Sequence, residues 1–372
     1  MKITTAVEKF KSPLYLESGR ILEPYELIYE TYGELNEDRS NVIVVCHALT
    51  GSHHAAGTYE GDRKAGWWDS MIGDHKTIDT TKYFVICVNV IGSCFGSTGP
   101  LSTIYPTAKE YRLKFPVITI SDMVKAQVNL FDRLGIHKVE AIIGGSMGGM
   151  QALCFAIEHP RFAKKHIILA STYATGPWTI AFNKVAREAI VKDPKFENGN
   201  YDVKEIKKEG FNGLSIGRMS GHISYLSPSS MDEKFGRFYD EKDGLYDLFG
   251  KFQVEKYLDY NSRNFVTWFD PLSYLYITKA INIFDASRNY DSLEDSFDRI
   301  LSKLTLISFK SDLLFLPSQM KHIKDTMTNI QKANQVEYHE IDSDYGHDAF
   351  LVEIPKFEVI IMNALKENDE RK

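Results

Sequence analysis

Cysteine is scarce in this chain. Four occur in 372 residues, Cys46, Cys87, Cys94 and Cys154. None forms a C-x-x-C pair or a zinc-ligand spacing, which argues against a disulfide framework and a cysteine-based metal site. Small buried side chains in a reducing compartment are expected instead. Long apolar runs are also missing. The longest, such as Val42–Cys46 (VIVVC), have strand length and fall far short of the ~18 residues that cross a bilayer. There is no basic surplus: 44 Lys and Arg stand against 50 Asp and Glu, a net charge of −6. That balance excludes the usual profile of a nucleic-acid binder. The opening MKITTAVEKFKSPLYLESG has no apolar core and no small-residue cleavage site. No secretory signal is expected, so the cytoplasm is the expected location and no membrane partner is expected. His53 and His54 are adjacent, without i,i+4 or carboxylate spacing, so no metal is expected there.

What the chain does contain is an alternation. Continuous apolar runs occur at Asn41–Cys46, Tyr83–Val90, Val139–Ile143, His166–Ala170 and Leu304–Phe309. Strands buried on both faces of a parallel sheet read this way. Between them lie helical patterns such as Ser121–Leu134, where Met123, Val124, Val128, Leu130, Phe131 and Leu134 form a stripe that Gly135 ends. The pattern predicts an α/β fold, a mostly parallel central sheet with helices on both faces. From about Thr172 to Leu293 the strand signal stops, and charged, aromatic-rich helical segments such as Phe182–Lys192 and Lys251–Tyr260 take over. A helical lid inserted into the sheet domain accounts for this. The expected division is 1–171 and 296–372 for the core and 172–295 for the lid.

Gly144-Gly145-Ser146-Met147-Gly148 fits G-x-S-x-G, after a buried strand and before an apolar helix pattern. That context predicts a nucleophile elbow, a tight strand-to-helix turn that holds a serine in a strained conformation. A phosphate loop would need Gly-Lys-Ser/Thr, which is absent, and the dinucleotide fingerprint G-x-G-x-x-G is only loosely imitated. A serine needs a base and an orienting acid, which in this fold follow in the order acid, then histidine. Asp312, just past the run Leu304–Phe309, is the expected acid. His347, on a loop after the expected last strand Val336–Ile341, is the expected base. Asp342 and Asp344 are rival acids, but they lie too close to the histidine loop to come from a separate strand. Two N–H groups are needed for the oxyanion: that of Met147 and one from the loop after the first buried run, Leu49 or alternatively Thr50.

Several separate stretches carry a resemblance: YETYGELN (29–36), CHALTGSHH (46–54), GSCFGSTGP (92–100), GGSMGGMQAL (144–153), GRMSGHISYLS (217–227), SDLLFLP (311–317) and YGHDAFL (345–351). With these, nearly the whole chain resembles the homoserine O-acyltransferases of the α/β-hydrolase superfamily, specifically the homoserine O-acetyltransferase group of methionine biosynthesis. The resemblance implies an α/β-hydrolase fold and a Ser146–Asp312–His347 triad. It implies that Arg218 binds the carboxylate of L-homoserine and Asp348 its ammonium, and that acetyl-CoA is a co-substrate with no bound cofactor. It also implies a homodimer associating through the lid. Physics agrees with the substrate assignment, because a zwitterion wants one cation and one anion near the nucleophile, and an arginine fork matches a carboxylate. Tyr173, Trp178, Phe182 and Trp268 are candidates for narrowing the lid's approach. A homoserine O-succinyltransferase, a serine O-acyltransferase and a serine esterase remain alternatives on the same scaffold.

Overall fold

The structure, a computed structural model, describes residues 1–61, 64–241 and 244–366. The charged tail beyond Lys366 and the few remaining positions lie outside them. Eight strands form the main sheet: β1 (Ile3–Phe10), β2 (Tyr25–Tyr32), β3 (Val42–Cys46), β4 (Phe84–Val88), β5 (Val139–Gly145), β6 (Ala163–Leu169), β7 (Lys303–Phe309) and β8 (Val336–Ile341). Their spatial order is β1-β2-β4-β3-β5-β6-β7-β8. Every neighbouring pair from β4 to β8 is parallel, while β2 runs antiparallel to both β1 and β4.

The buried runs read from sequence form the parallel part, with ends that coincide or shift by up to three residues. The antiparallel pair β1 and β2 gave no such signal. β1 is an edge strand whose residues are mostly exposed or half-buried, and its sequence ITTAVEKF carries no continuous apolar run. In β3, Val42, Val44 and Cys46 pack into one core layer and Ile43 and Val45 into the other, the period-2 alternation that follows when both faces are covered. The first layer contains the buried faces of α1 (Ile120–Arg133) and α2 (Met147–Glu158); the second includes Phe357, Ile361 and Leu365 near the end of the described chain. α1 begins in a capping box between Thr119 and Asp122 and ends at Gly135, whose φ is +65°.

Chain order reverses direction across the sheet at β3. The chain steps to β4 on one side of it and then returns to β5 on the other. In open α/β sheets the crevice beyond such a switch point is where ligands bind. Between β6 and β7 the described residues add no strand to the main sheet. That stretch holds α3 (Pro177–Lys192), α4 (Val203–Glu209), α5 (Asn212–Tyr225), α6 (Pro228–Phe235), α7 (Gln253–Val266), α8 (Pro271–Asn282) and α9 (Leu293–Asp298). α5 packs between α3 and α7, and α3 also packs on α8. After β7 comes α10 (Pro317–Asn329), and after β8 the short α11 (Ala349–Val352).

Candidate active site

The turn between β5 and α2 is built from absent side chains. Ser146 has φ 58° and ψ −125°, a strained region for a residue with a Cβ. Its N–H donates to Leu169 O at 3.0 Å and its carbonyl accepts the Ser171 hydroxyl at 2.9 Å, so the last residue of β6 and the second residue beyond it hold the strained unit. A Cβ at Gly148 would sit 2.1 Å from Cys46 O, and one at Gly144 would sit 2.3 Å from the Gly148 backbone. Only glycine lets α2 approach β3 and β5 this closely.

His347 lies at hydrogen-bond distance from both expected partners. Its Nε2 is 2.9 Å from Ser146 Oγ, and its Nδ1 is 2.8 Å from Asp312 Oδ2. With the Nδ1 proton given to Asp312, Nε2 is left to accept the serine proton. Asp312 is held in turn, since its Oδ1 accepts the N–H groups of Leu314 (2.8 Å) and Phe315 (3.0 Å). Asp312 is 1% exposed, His347 3% and Ser146 8%. The three follow the carboxyl ends of β7, β8 and β5. Asp342 and Asp344 are exposed, and Asp342 pairs with Lys310. Burial pulls the His347 pKa down, but the charge and hydrogen bond of Asp312, with Asp348 nearby, outweigh it, and the result lies above the ordinary 6.5.

The histidine loop is seated on the end of α5. Asp348 N donates to Tyr225 O, and Ser227 N donates to Tyr345 O, each at 3.2 Å. Gly346 has φ +98°, and a Cβ there would lie 2.7 Å from both Ser227 N and Tyr225 O. This contact couples the His347 loop to the helix that carries Arg218. Phe315, Phe350 and Tyr225 surround the imidazole ring.

The loop after β3 supplies Leu49 and Thr50 to the same space. Among the described residues, neither of their N–H groups nor that of Met147 donates to an acceptor in the chain. The loop is clamped at both ends by groups that sequence reading missed. His47 Nδ1 donates to Ala48 O at 2.8 Å, its Nε2 accepts Val90 N–H at 3.1 Å, and its carbonyl accepts Gln151 Nε2 at 3.1 Å. Burial holds its pKa down to about 4, in keeping with a neutral ring that donates once and accepts once. Further on, the Tyr32 hydroxyl accepts Ala55 N–H (2.6 Å) and Ala56 N–H (3.2 Å) and donates to buried Glu30 (2.9 Å). His54 pairs with Glu30 at 2.9 Å. Among the described residues no group of three or more His, Cys, Asp or Glu is arranged to hold a metal ion.

These elements line an open cleft of about 750 Å³, the solvent at its mouth included. Ser146, His347, Leu49 and Thr50 form its floor side, and α3, α5 and α8 bring Phe182, Asn183, Arg218 and Tyr274 from above. Asp348 also lines it. Its side chain makes no capping hydrogen bond to α11, although it stands at that helix's N-terminus. Burial raises its pKa above 3.8, with His347 and Arg218 opposing. Of the four aromatics singled out from sequence, Phe182 lines the cleft, whereas Tyr173 packs on His322, and Trp178 and Trp268 are exposed.

Fold and comparison define the class first: a family model described as alpha/beta hydrolase fold matches residues 41–354. The homoserine O-acetyltransferase of Sulfurimonas autotrophica is 63% identical over 98% of this chain and 99% of its own. A crystal structure of homoserine O-acetyltransferase from Bacillus anthracis superposes with a TM-score of 0.91 at 29% identity, covering 99% of each chain. Esterase E22 superposes at 0.88 with 28% identity, covering 98% of this chain and all of that one. The chain belongs to the homoserine O-acetyltransferase family, within the α/β-hydrolase superfamily. Among the described residues no helix is long and apolar enough to cross a membrane.

Proposed function

We propose that the protein transfers the acetyl group of acetyl-CoA to the hydroxyl of L-homoserine through an acetyl-serine at Ser146. In the first half-reaction His347 takes the Ser146 proton and the serine attacks the thioester. The oxyanion is received by the N–H of Met147 and that of Leu49 or Thr50. His347 returns its proton to the thiolate and CoA leaves. In the second half-reaction His347 takes the proton of the homoserine hydroxyl, which attacks the serine ester. Collapse releases O-acetylhomoserine and gives the proton back to Ser146. Asp312 fixes the imidazole tautomer and stabilises its cation.

The observation that carries this reading is the pairing of the Ser146–His347–Asp312 chain with one cation and one anion in a single cleft. The guanidinium of Arg218 suits the carboxylate of the amino acid, and Asp348, next to the base, suits its ammonium. An esterase of neutral substrates has no use for that pair. Transfer must also outrun hydrolysis. Orientation of a bound hydroxyl supplies effective molarities of about 10⁵ M or more, well above that of water.

The helices of 172–295 act as the lid in this reading. They also serve as the face through which two copies form a homodimer. Trp178, Val185, Ile216, Ile223, Leu248 and Phe249 are exposed there, an apolar surface that a second copy would cover. The setting is the cytoplasm, where acetyl-CoA and homoserine meet.

The test follows CoA release from acetyl-CoA with and without homoserine, and again with succinyl-CoA, with serine and with a simple ester. The account expects a stoichiometric burst without acceptor, turnover with homoserine, and no burst from Ser146→Ala. CoA release that never responds to homoserine would refute it.

A further inference from the structure

Arg218 and Tyr274 reach the cleft from two different helices, α5 and α8. The Arg218 guanidinium lies 4.7 Å from the centre of the Phe265 ring and 5.7 Å from that of Tyr225. Among the described residues it pairs with no carboxylate. It is a cation on an aromatic bed, with the Tyr225 hydroxyl beside it, and it lines the cleft.

Tyr274 is 2% exposed, with Phe265 and Phe269 edge-on to its ring. Among the described residues its hydroxyl has no hydrogen-bond partner in the chain. Other deeply buried tyrosines behave differently. Tyr25 accepts from Asn129, Tyr32 bonds Glu30 and two backbone amides, and Tyr201 donates to Asp270 at 2.6 Å. The hydroxyl of this otherwise buried side chain is not among the sealed, unpartnered polar atoms of the described residues, so it is open to a hydrogen-bond partner in the cleft that Tyr274 lines. Burial keeps the Tyr274 phenol protonated at neutral pH, and the groups acting on it are Tyr225, Arg218 and Arg187. Arg187 is already engaged by Leu275 O and the Thr278 hydroxyl. The other two, Tyr225 and Arg218, line the cleft together with Tyr274.

We propose that Tyr274 is a substrate-binding residue whose hydroxyl donates to the carboxylate of the acceptor amino acid held by Arg218. The inference rests on the acetyl-transfer reading above. The carboxylate then meets a charged donor from one helix and a neutral donor from another. The pair fixes its plane as well as its charge, and with it the direction of the distal hydroxyl.

The test compares the protein with its Tyr274→Phe variant on two acceptors: homoserine and 3-amino-1-propanol, which is homoserine without its carboxylate. The variant should keep the acetyl-CoA burst and an unfolding midpoint no lower than the parent, because no intramolecular hydrogen bond is lost. Its kcat/KM for homoserine should fall about 10- to 100-fold, the loss expected for one hydrogen bond to a charged group. Its kcat/KM for the amino alcohol should not change. If turnover of the amino alcohol is too slow, its inhibition constant against homoserine is read the same way. Equal losses on both acceptors, or no loss on either, would overturn the assignment while leaving acetyl transfer intact. A parent enzyme indifferent to homoserine would instead bring down the functional reading and this proposal with it.

Discussion

Replacing Asp312 by Asn changes one charge and one acceptor with little change of shape. The amide oxygen of the variant can keep the Leu314 and Phe315 N–H groups that Asp312 now holds. The amide NH₂ then faces His347 Nδ1, now 2.8 Å from a carboxylate oxygen. That NH₂ demands a lone pair on Nδ1, which moves the ring proton to Nε2 and points it at Ser146. The base is thereby presented in the wrong tautomer. The imidazolium that forms in each half-reaction also loses its counter-charge in a site where both groups are almost wholly buried. Loss of one charge-assisted hydrogen bond is worth about 1.5–3 kcal/mol, roughly 10- to 150-fold. Adding the tautomer inversion brings the expected loss of kcat to about 10³–10⁴-fold, the scale of the same exchange in serine-protease triads.

The pH profile gives an independent sign. Acylation needs neutral His347, and the parent's pKa lies above 6.5 because Asp312 outweighs burial. Removing Asp312 leaves burial pulling down, so the acid limb of kcat/KM for acetyl-CoA should move to lower pH. Rapid-mixing measurement of CoA release across pH checks both effects. A variant within tenfold of the parent, or an acid limb that does not move, would refute this chain of reasoning.

Arg218→Ala should raise the KM for homoserine about 10- to 150-fold, from the loss of a charged hydrogen-bond partner, while the acylation burst survives. Steady-state kinetics set beside the burst amplitude decide this. Gly148→Ala should destabilise by about 1–3 kcal/mol or more, because the new Cβ would lie 2.1 Å from Cys46 O and the overpacked helix must retreat from β3. Thermal unfolding reads that loss. The same retreat shifts the Met147 N–H, so the folded fraction should also acylate more slowly.

Legibility from sequence differed from residue to residue. Ser146 was legible because the strain of its turn forces small neighbours, and small neighbours leave a pattern of letters. Asp312 and His347 followed from the chain order of the fold, each lying just past a strand that could itself be read. Arg218 was not legible from physics alone, because a lid arginine on a half-buried helix looks like any surface cation, and only the resemblance marked it out. Tyr274 left no signal. Its helix PLSYLYITKAIN is apolar on nearly every side, and nothing in the letters says which side faces a cleft. The clamp of His47, Tyr32 and Glu30 joins β2 to the loop after β3, a pairing that depends on the antiparallel strand with no continuous apolar run. Local pattern conveys strain and burial; convergence of lid and core side chains is a property of the assembled molecule.

The central claim is that an acetyl group rests on Ser146 between the two half-reactions. Mass spectrometry of the protein after brief mixing with acetyl-CoA alone tests it most directly. One added acetyl group should map to the peptide containing Ser146 and disappear when homoserine is added. An unmodified Ser146 under conditions where the enzyme turns over, or an acetyl group on another residue that homoserine discharges, would contradict it.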